Sequence, residues 1–447
     1  MRRQQIILCV VAAGAGAAAL IGPGLLADMA EIGSDAPAPT QQAVDYIDPR
    51  PGGRLSAKDL PNLITAAQAR LKNVPQDAET WARLGSAYIE QARITADPAY
   101  YPKADGALRR SLREQPEENI AALVGMGSLA AARHDFAGAR DWGLKAQKIS
   151  ERHGPAYSVL TDAYLNLGAY KSAERALQRL LDLSPSVASY TRAAHLFELK
   201  GETTRAKEAL RLAEDAAVIP SDVASVAYFS GELAWKTGRP QDALTSYDLA
   251  LTILSDYAPA LAGRGKARFA LKQTDDAIKD YEAAVARTPH PRFLLELGEI
   301  YRSLGRPADA DRQFALLKAT ARLFTDAGVR DDLGIARYEA DHGDPAVAVR
   351  LARAEWKRRP TVDVADALGW ALHRAGHSAE AMRHARYAAR LGEHNAEYAY
   401  HRGEIERALD RKRDAVRSLT TSITINPYFP RAAEARESLK RLSADRR

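Results

Sequence analysis

Apolar and polar positions along the chain repeat one phrase about every 34 residues. A full copy is Gly154–Val187, GPAYSVLTDAYLNLGAYKSAERALQRLLDLSPSV. Tyr157, Leu160 and Tyr164 fall at i, i+3 and i+7, the period of one helical face. Gly168 ends that helix, because a left-handed residue closes a helix most easily when it has no Cβ. Tyr170 opens a second helix with Ala173, Leu177 and Leu180 as its inner stripe. Pro185 ends it, since proline has no N–H to continue the ladder. The phrase predicts a helical hairpin.

The hairpins share two small-residue positions. The second helix carries alanine at Ala104, Ala139, Ala173, Ala206, Ala243, Ala277, Ala310, Ala348, Ala381 and Ala415, one in each of ten units. Antiparallel helices joined by a tight turn approach closely near that turn, so only a methyl group fits. The first helix carries Gly85, Gly127, Thr161, Ala194, Gly231, Gly265, Gly298, Ala336, Gly369 and Gly403 at its own close position. Glycine costs about 1 kcal/mol in a helix interior relative to alanine, so its recurrence implies a neighbouring backbone pressed against it. Closing prolines recur at Pro75, Pro116, Pro185, Pro289, Pro360 and Pro427.

Trp81, Leu84, Gly85 and Tyr88 form one run, and Gly298, Tyr301, Ala310 and Phe314 another. With the ten in-phase alanines, this pattern resembles the tetratricopeptide repeat. The resemblance covers about residues 57–442 and implies an all-α fold, a right-handed solenoid of about ten helix-turn-helix repeats. Units begin near Ala78, Ile120, Gly154, Val187, Ala224, Ala258, Pro291, Val329, Val362 and Ala396. The expected organisation is a capping helix over 56–77, a solenoid over 78–430 and a second cap over 431–447. Thr95–Asp105 is an insertion, either a lip on the groove or a lengthened helix tucked onto its own repeat. VIPSD and LFTDAG add residues before the fifth and eighth units.

In solenoids of this kind the first helices line a concave face, where ligands often lie. That face is bland in the early units: Ser86, Val124, Ser128, Ala131 and Ser158. Later units combine aromatic residues with cations. The candidate partner-binding residues are Tyr228, Trp235, Lys266, Phe269, Arg292, Arg302, Arg330, Arg337, Trp370, Arg374 and Tyr400. Arginine forks onto carboxylates, so this set suits an extended or acidic segment of another protein. The same face carries Glu232, Glu299, Asp363, Asp366 and Glu404, which would instead pair with the cations as a solvated surface. Trp235 and Trp370 are the leading candidates, because an exposed tryptophan is unusual without a partner.

Composition changes this picture little. Net charge is +6 over 447 residues, spread out, which gives no nucleic-acid footprint. The single cysteine, Cys9, excludes an internal disulfide and a multi-cysteine zinc site. The N-terminus is informative. Arg2 and Arg3 precede Ile6–Ala27, an uncharged stretch just long enough for a hydrocarbon core of roughly 30 Å. Residues 1–27 are expected to be a signal peptide or a single membrane anchor, which places the remainder outside the cytoplasm. Residues 28–55, rich in proline and glycine, read as a flexible linker. Abundant alanine and the excess of arginine over lysine hint at a bacterial source.

Catalytic motifs are missing. There is no P-loop, no H-E-x-x-H and no G-x-S-x-G. His373, His377, His384, His394 and His401 are irregularly spaced, and Gly376 breaks the helix between the first two. No metal, cofactor or catalytic residue is therefore expected. The reading is a non-catalytic interaction scaffold displayed outside the cytoplasmic membrane, anchored through residues 6–27 or released. A cytoplasmic adaptor or a component of surface polysaccharide assembly are the alternatives.

Overall fold

A computed structural model describes residues 60–444. The leader or anchor of residues 1–27 and the linker of 28–55 lie outside the described residues. Among the described residues there are 22 α-helices, one short 3-10 turn and no strand, and no helix long and apolar enough to cross a membrane.

Leu60–Asn73 (α1) stands alone before ten hairpins. The hairpins pair Ala78–Thr95 (α2) with Tyr100–Glu114 (α3), Ile120–Ala132 (α4) with Phe136–Ile149 (α5), and Gly154–Asn166 (α6) with Tyr170–Leu183 (α7). Val187–Leu199 (α8) pairs with Thr203–Asp215 (α9), Pro220–Lys236 (α10) with Pro240–Ile253 (α11), and Ala258–Ala270 (α12) with Thr274–Arg287 (α13). Pro291–Ser303 (α14) pairs with Pro307–Asp326 (α15), and Leu333–His342 (α16) with Pro345–Arg358 (α17). Val362–Arg374 (α18) with Ser378–Ala388 (α19) and Ala396–Ala408 (α20) with Lys412–Ile425 (α21) complete the set. Ala432–Ala444 (α22) packs on α21 as the last helix of the stack.

Most hairpin turns share one geometry. Gly168, Gly201, Gly238 and Gly376 take positive φ. The next N–H reaches back over the last helical turn, as from Ala169 to the Tyr164 carbonyl at 2.9 Å and from His377 to the Leu372 carbonyl at 2.8 Å. These bonds satisfy carbonyls that the helix end would leave unpaired. Where glycine is missing, His134, Lys272 and Asp410 take the left-handed conformation instead.

All ten repeat alanines are 0–1% exposed. Most of the first-helix glycines are explained by the residue four positions after the alanine; Gly127 instead faces Val159, and Gly369 faces the backbone of Ala381 and Ala385. A Cβ on Gly231 would fall 2.6 Å from the Tyr247 ring, one on Gly265 2.7 Å from Tyr281, and one on Gly403 2.7 Å from Leu419. The close contact is therefore mainly a large side chain seated on the glycine, not backbone on backbone as the spacing suggested. Backbone shares the load at Gly265, where the Ala277 carbonyl lies 2.9 Å from the Cβ position.

Thr95–Asp105 tucks onto its own repeat. Tyr101 is buried, and the Tyr100 ring lies tilted beside Tyr88 with centroids 5.9 Å apart. LFTDAG extends α15, so that Phe324 and Val329 enter one apolar cluster with Leu71 of α1 and with Leu84 and Tyr101 of the first hairpin. Residues far apart in the chain thus share a core.

That closure is systematic. The Arg330 N–H donates to the Arg133 carbonyl at 3.0 Å. The Val362 N–H donates to Tyr170 Oη at 3.0 Å, and Asn426 Nδ2 donates to the Trp235 carbonyl at 2.8 Å. A Cβ on Gly201 would lie less than 3.0 Å from the Gly392 carbonyl. Each contact joins a hairpin turn of α4–α11 to a connection between later repeats. The solenoid curls back on itself after about 190 residues, and successive superhelical turns touch. Val362, Ala365 and Tyr398 belong to the same buried cluster as Tyr170, Phe197 and Leu199.

Candidate partner-binding face

The inner face is built by the first helix of each repeat. The tight curl brings neighbouring first helices close, so long side chains on this face meet one another. Glu232 of α10 is the centre of one network. It accepts from Lys266 Nζ of α12 at 2.8 Å, from Tyr247 Oη at 2.5 Å and from Arg292 Nη2 of α14 at 3.4 Å. Burial opposes its charge, but Lys266, Arg292 and these hydrogen bonds hold the carboxyl below its usual range. Arg292 also pairs with Glu296 at 2.8 Å, which takes the Tyr281 hydroxyl at 2.9 Å.

A second network continues along α14–α20. His342 lies between Glu299 at 3.1 Å and Arg302 at 3.2 Å. Arg337 pairs with Asp363, and His401 with Asp366 at 2.9 Å. Arg374 donates to the Ala340 carbonyl at 3.0 Å. Asp341 takes the Trp370 indole N–H at 3.0 Å and Arg431 at 2.7 Å.

All the candidate residues but Arg330 thus fall into three groups. Lys266, Arg292, Arg302, Arg337 and Arg374 lie on consecutive first helices α12–α18 and belong to these networks. Trp235 and Phe269 are partly buried, and Lys266 Nζ stands 5.2 Å from the Trp235 ring centre. Tyr228, Trp370 and Tyr400 are not exposed platforms. Tyr228 packs among Phe229, Tyr247 and Tyr257. Trp370 is 6% exposed and stacks on His401 at 4.2 Å. Tyr400 lies against Trp370 and Phe429. The curl buries these rings between repeats.

Arg330 is exposed but not on an inner helix. It sits in the connection between α15 and α16, held by its backbone to Arg133. The extra residues before this unit delay the helix to Leu333.

The sequence did not single out Glu296, Asp341 or Arg431, nor Tyr247 and Tyr281 as anchors of inner-face carboxylates. The two tyrosines had a readable signal, since each lies four residues after a repeat alanine. Among the described residues no cluster of three or more His, Cys, Asp or Glu could hold a metal ion.

In sequence, the chain matches the family model described as Tetratricopeptide repeat over residues 192–259 and 263–319. No curated protein matches it. Among solved structures, a tetratricopeptide repeat protein from Parabacteroides merdae is 21% identical, covering 57% of this chain and 98% of that one, with a TM-score of 0.35. Yeast Tom70 is 12% identical over 87% of this chain and 96% of its own, with a TM-score of 0.37. The Cut9–Hcn1 hetero-tetramer of the APC/C is 13% identical over 86% and 94%, at 0.38. At these identities and scores the likenesses carry no functional argument.

Proposed function

We propose, from the premise that this chain is a tetratricopeptide-repeat protein and so a protein–protein interaction scaffold, that it holds an extended acidic segment of its partner against the inner face of α12–α18. The scaffold acts without catalysis. It works outside the cytoplasmic membrane, a placement supported by Arg2 and Arg3 before the uncharged Ile6–Ala27.

One observation carries the reading. The side chains of Arg292, Arg337 and Arg374 are 43%, 44% and 43% exposed although each already holds a carboxylate or carbonyl. A guanidinium has five N–H donors. The existing partners of each take one or two of these donors, which leaves others for a further acceptor. Such a row is pre-organised for carboxylates presented at repeat spacing.

Capture of partners in living cells tests it. Arg302→Glu and Arg374→Glu together, with the fold checked by circular dichroism, should abolish recovery of the proteins crosslinked to the parent chain. Unchanged recovery would overturn the assignment. A reporter fused after residue 447 and active only when exported tests the location.

A further inference from the structure

We propose that the cleft between α20 and α22, at the C-terminal end of the stack, is a separate site that seats a lysine or arginine side chain of the partner. The inference rests on reading the chain as an interaction scaffold, but not on the arginine row, and it can be tested without the partner.

Long side chains span the gap between other first helices. Lys266 of α12 reaches Glu232 of α10 at 2.8 Å, and His401 of α20 stacks on Trp370 of α18 at 4.2 Å. Among the described residues no hydrogen bond or ion pair joins α20 to α22. Arg407 turns back to Glu404 Oε2 at 2.7 Å, Arg441 to Glu437 at 3.2 Å, and Glu434 meets Arg431 at 3.6 Å. The two helices leave a cavity of about 430 Å³, with Tyr400, Glu404 and Arg407 on one wall and Glu434, Glu437 and Arg441 on the other. Cavities of this size take small ligands, and the end of a long side chain fits within one.

The groups left over accept hydrogen bonds. Tyr400 is 6% exposed and lines the cleft, and its Oη makes no hydrogen bond among the described residues. Glu404 is 5% exposed, and its Oε1 is buried with no partner. A buried acceptor without a donor is costly, and a donor that enters the cleft recovers that cost. Charge points the same way. Three carboxylates and two guanidiniums line the cleft, which leaves one negative charge uncompensated. His373 is near enough to feel Glu404, but burial holds its imidazole at about 4, so it stays neutral at neutral pH. The Tyr400 ring adds an aromatic surface for a cation. A guanidinium or ammonium on an alkyl stem meets all of these features, with donors for Tyr400 and Glu404 and charge for the carboxylates. An acidic group would meet Glu404, Glu434 and Glu437 instead.

The test uses the full chain with Cys9→Ser and Ala433→Cys, which sets one thiol at an exposed position in the cleft wall. Its rates with cationic aminoethyl and anionic sulfonatoethyl methanethiosulfonate are compared with the same ratio for N-acetylcysteine amide. The cation should be preferred about tenfold or more at low salt, and Glu404→Gln should remove most of that preference. Two results overturn the site: a ratio equal to that of the free thiol, or a preference that Glu404→Gln leaves intact. Competition needs no change at Glu404 and so does not depend on how that variant folds. N-acetyl-glycyl-arginyl-glycine amide should protect the thiol until modification stops, and the same peptide with citrulline in place of arginine should not. Equal protection by both peptides, or protection by neither, also overturns the site. Arg302 and Arg374 are untouched throughout, so the site can fail while the inner-face assignment stands, and the capture experiment with Arg302→Glu and Arg374→Glu can fail while the site stands.

Discussion

Tyr170 Oη accepts the backbone N–H of Val362 at 3.0 Å across 192 residues of chain. One hydrogen bond thus joins the third hairpin to the ninth across the seam where successive superhelical turns touch. Tyr170 is the aromatic residue that opens α7, and its phenol is pushed above its ordinary range by burial. It serves the hairpin through its ring and the seam through its oxygen.

The seam can be separated from turn strain with two glycines. Gly201 has φ +70° and Gly305 has φ +71°, but only Gly201 faces an opposing carbonyl; nothing lies within 4 Å of a Cβ on Gly305. Alanine at either position pays roughly 1–2 kcal/mol for the left-handed conformation. Gly201→Ala adds a clash with Gly392 and should cost at least twice as much as Gly305→Ala in thermal or urea unfolding. Equal losses would show that the seam contact contributes nothing.

The repeat alanines predict a larger effect. Ala277 is fully buried, and its carbonyl is pressed against Gly265. Ala277→Leu should destabilise by about 1–3 kcal/mol or more through overpacking, read as a lowered melting temperature. A variant that melts with the parent would remove the steric basis of the stack.

Trp370 now carries a stability prediction. Because it is buried on His401 and bonded to Asp341, Trp370→Ala should cost about 3–5 kcal/mol. Trp235, partly buried under Lys266, should cost less. Equal, small losses would mean that Trp370 is free at the surface.

The seam should also respond to pH. Burial pushes the Glu393 carboxyl up to about 7, against the pull of Lys236 and the Asn395 hydrogen bond; Asp363 and Glu198 add to the rise. The unfolded group titrates near 4.5, so between these values the folded chain binds more protons than the unfolded one. Stability from this group is full below about pH 4.5 and is lost as pH rises through about 7. Glu393→Gln should flatten that part of the profile. A profile identical to the parent's would exclude Glu393 as its source.

Local periodicity made the hairpins legible. The alanines, the turn glycines and the closing prolines each serve contacts within one repeat or with the next, so their phase is written in the chain. The seam is not written that way. Tyr170 with Val362 and Asn426 with Trp235 meet only because small rotations between repeats accumulate, and half of each contact is backbone, which carries no sequence signal. The same accumulated curl buried Tyr228, Trp370 and Tyr400, whose positions alone marked them as inner-face residues. Arg330 was displaced for a different reason: the inserted LFTDAG lengthened α15 and left Arg330 in the following connection.

The central claim is that a partner occupies the inner face. A photo-crosslinking amino acid placed in turn at Phe269, on inner α12, and at Leu249, 47% exposed on α11, tests it in intact cells. The account predicts a discrete adduct from Phe269 that disappears with Arg302→Glu and Arg374→Glu, and none from Leu249. Adducts from Leu249 alone, or adducts from Phe269 indifferent to those charge reversals, would contradict it.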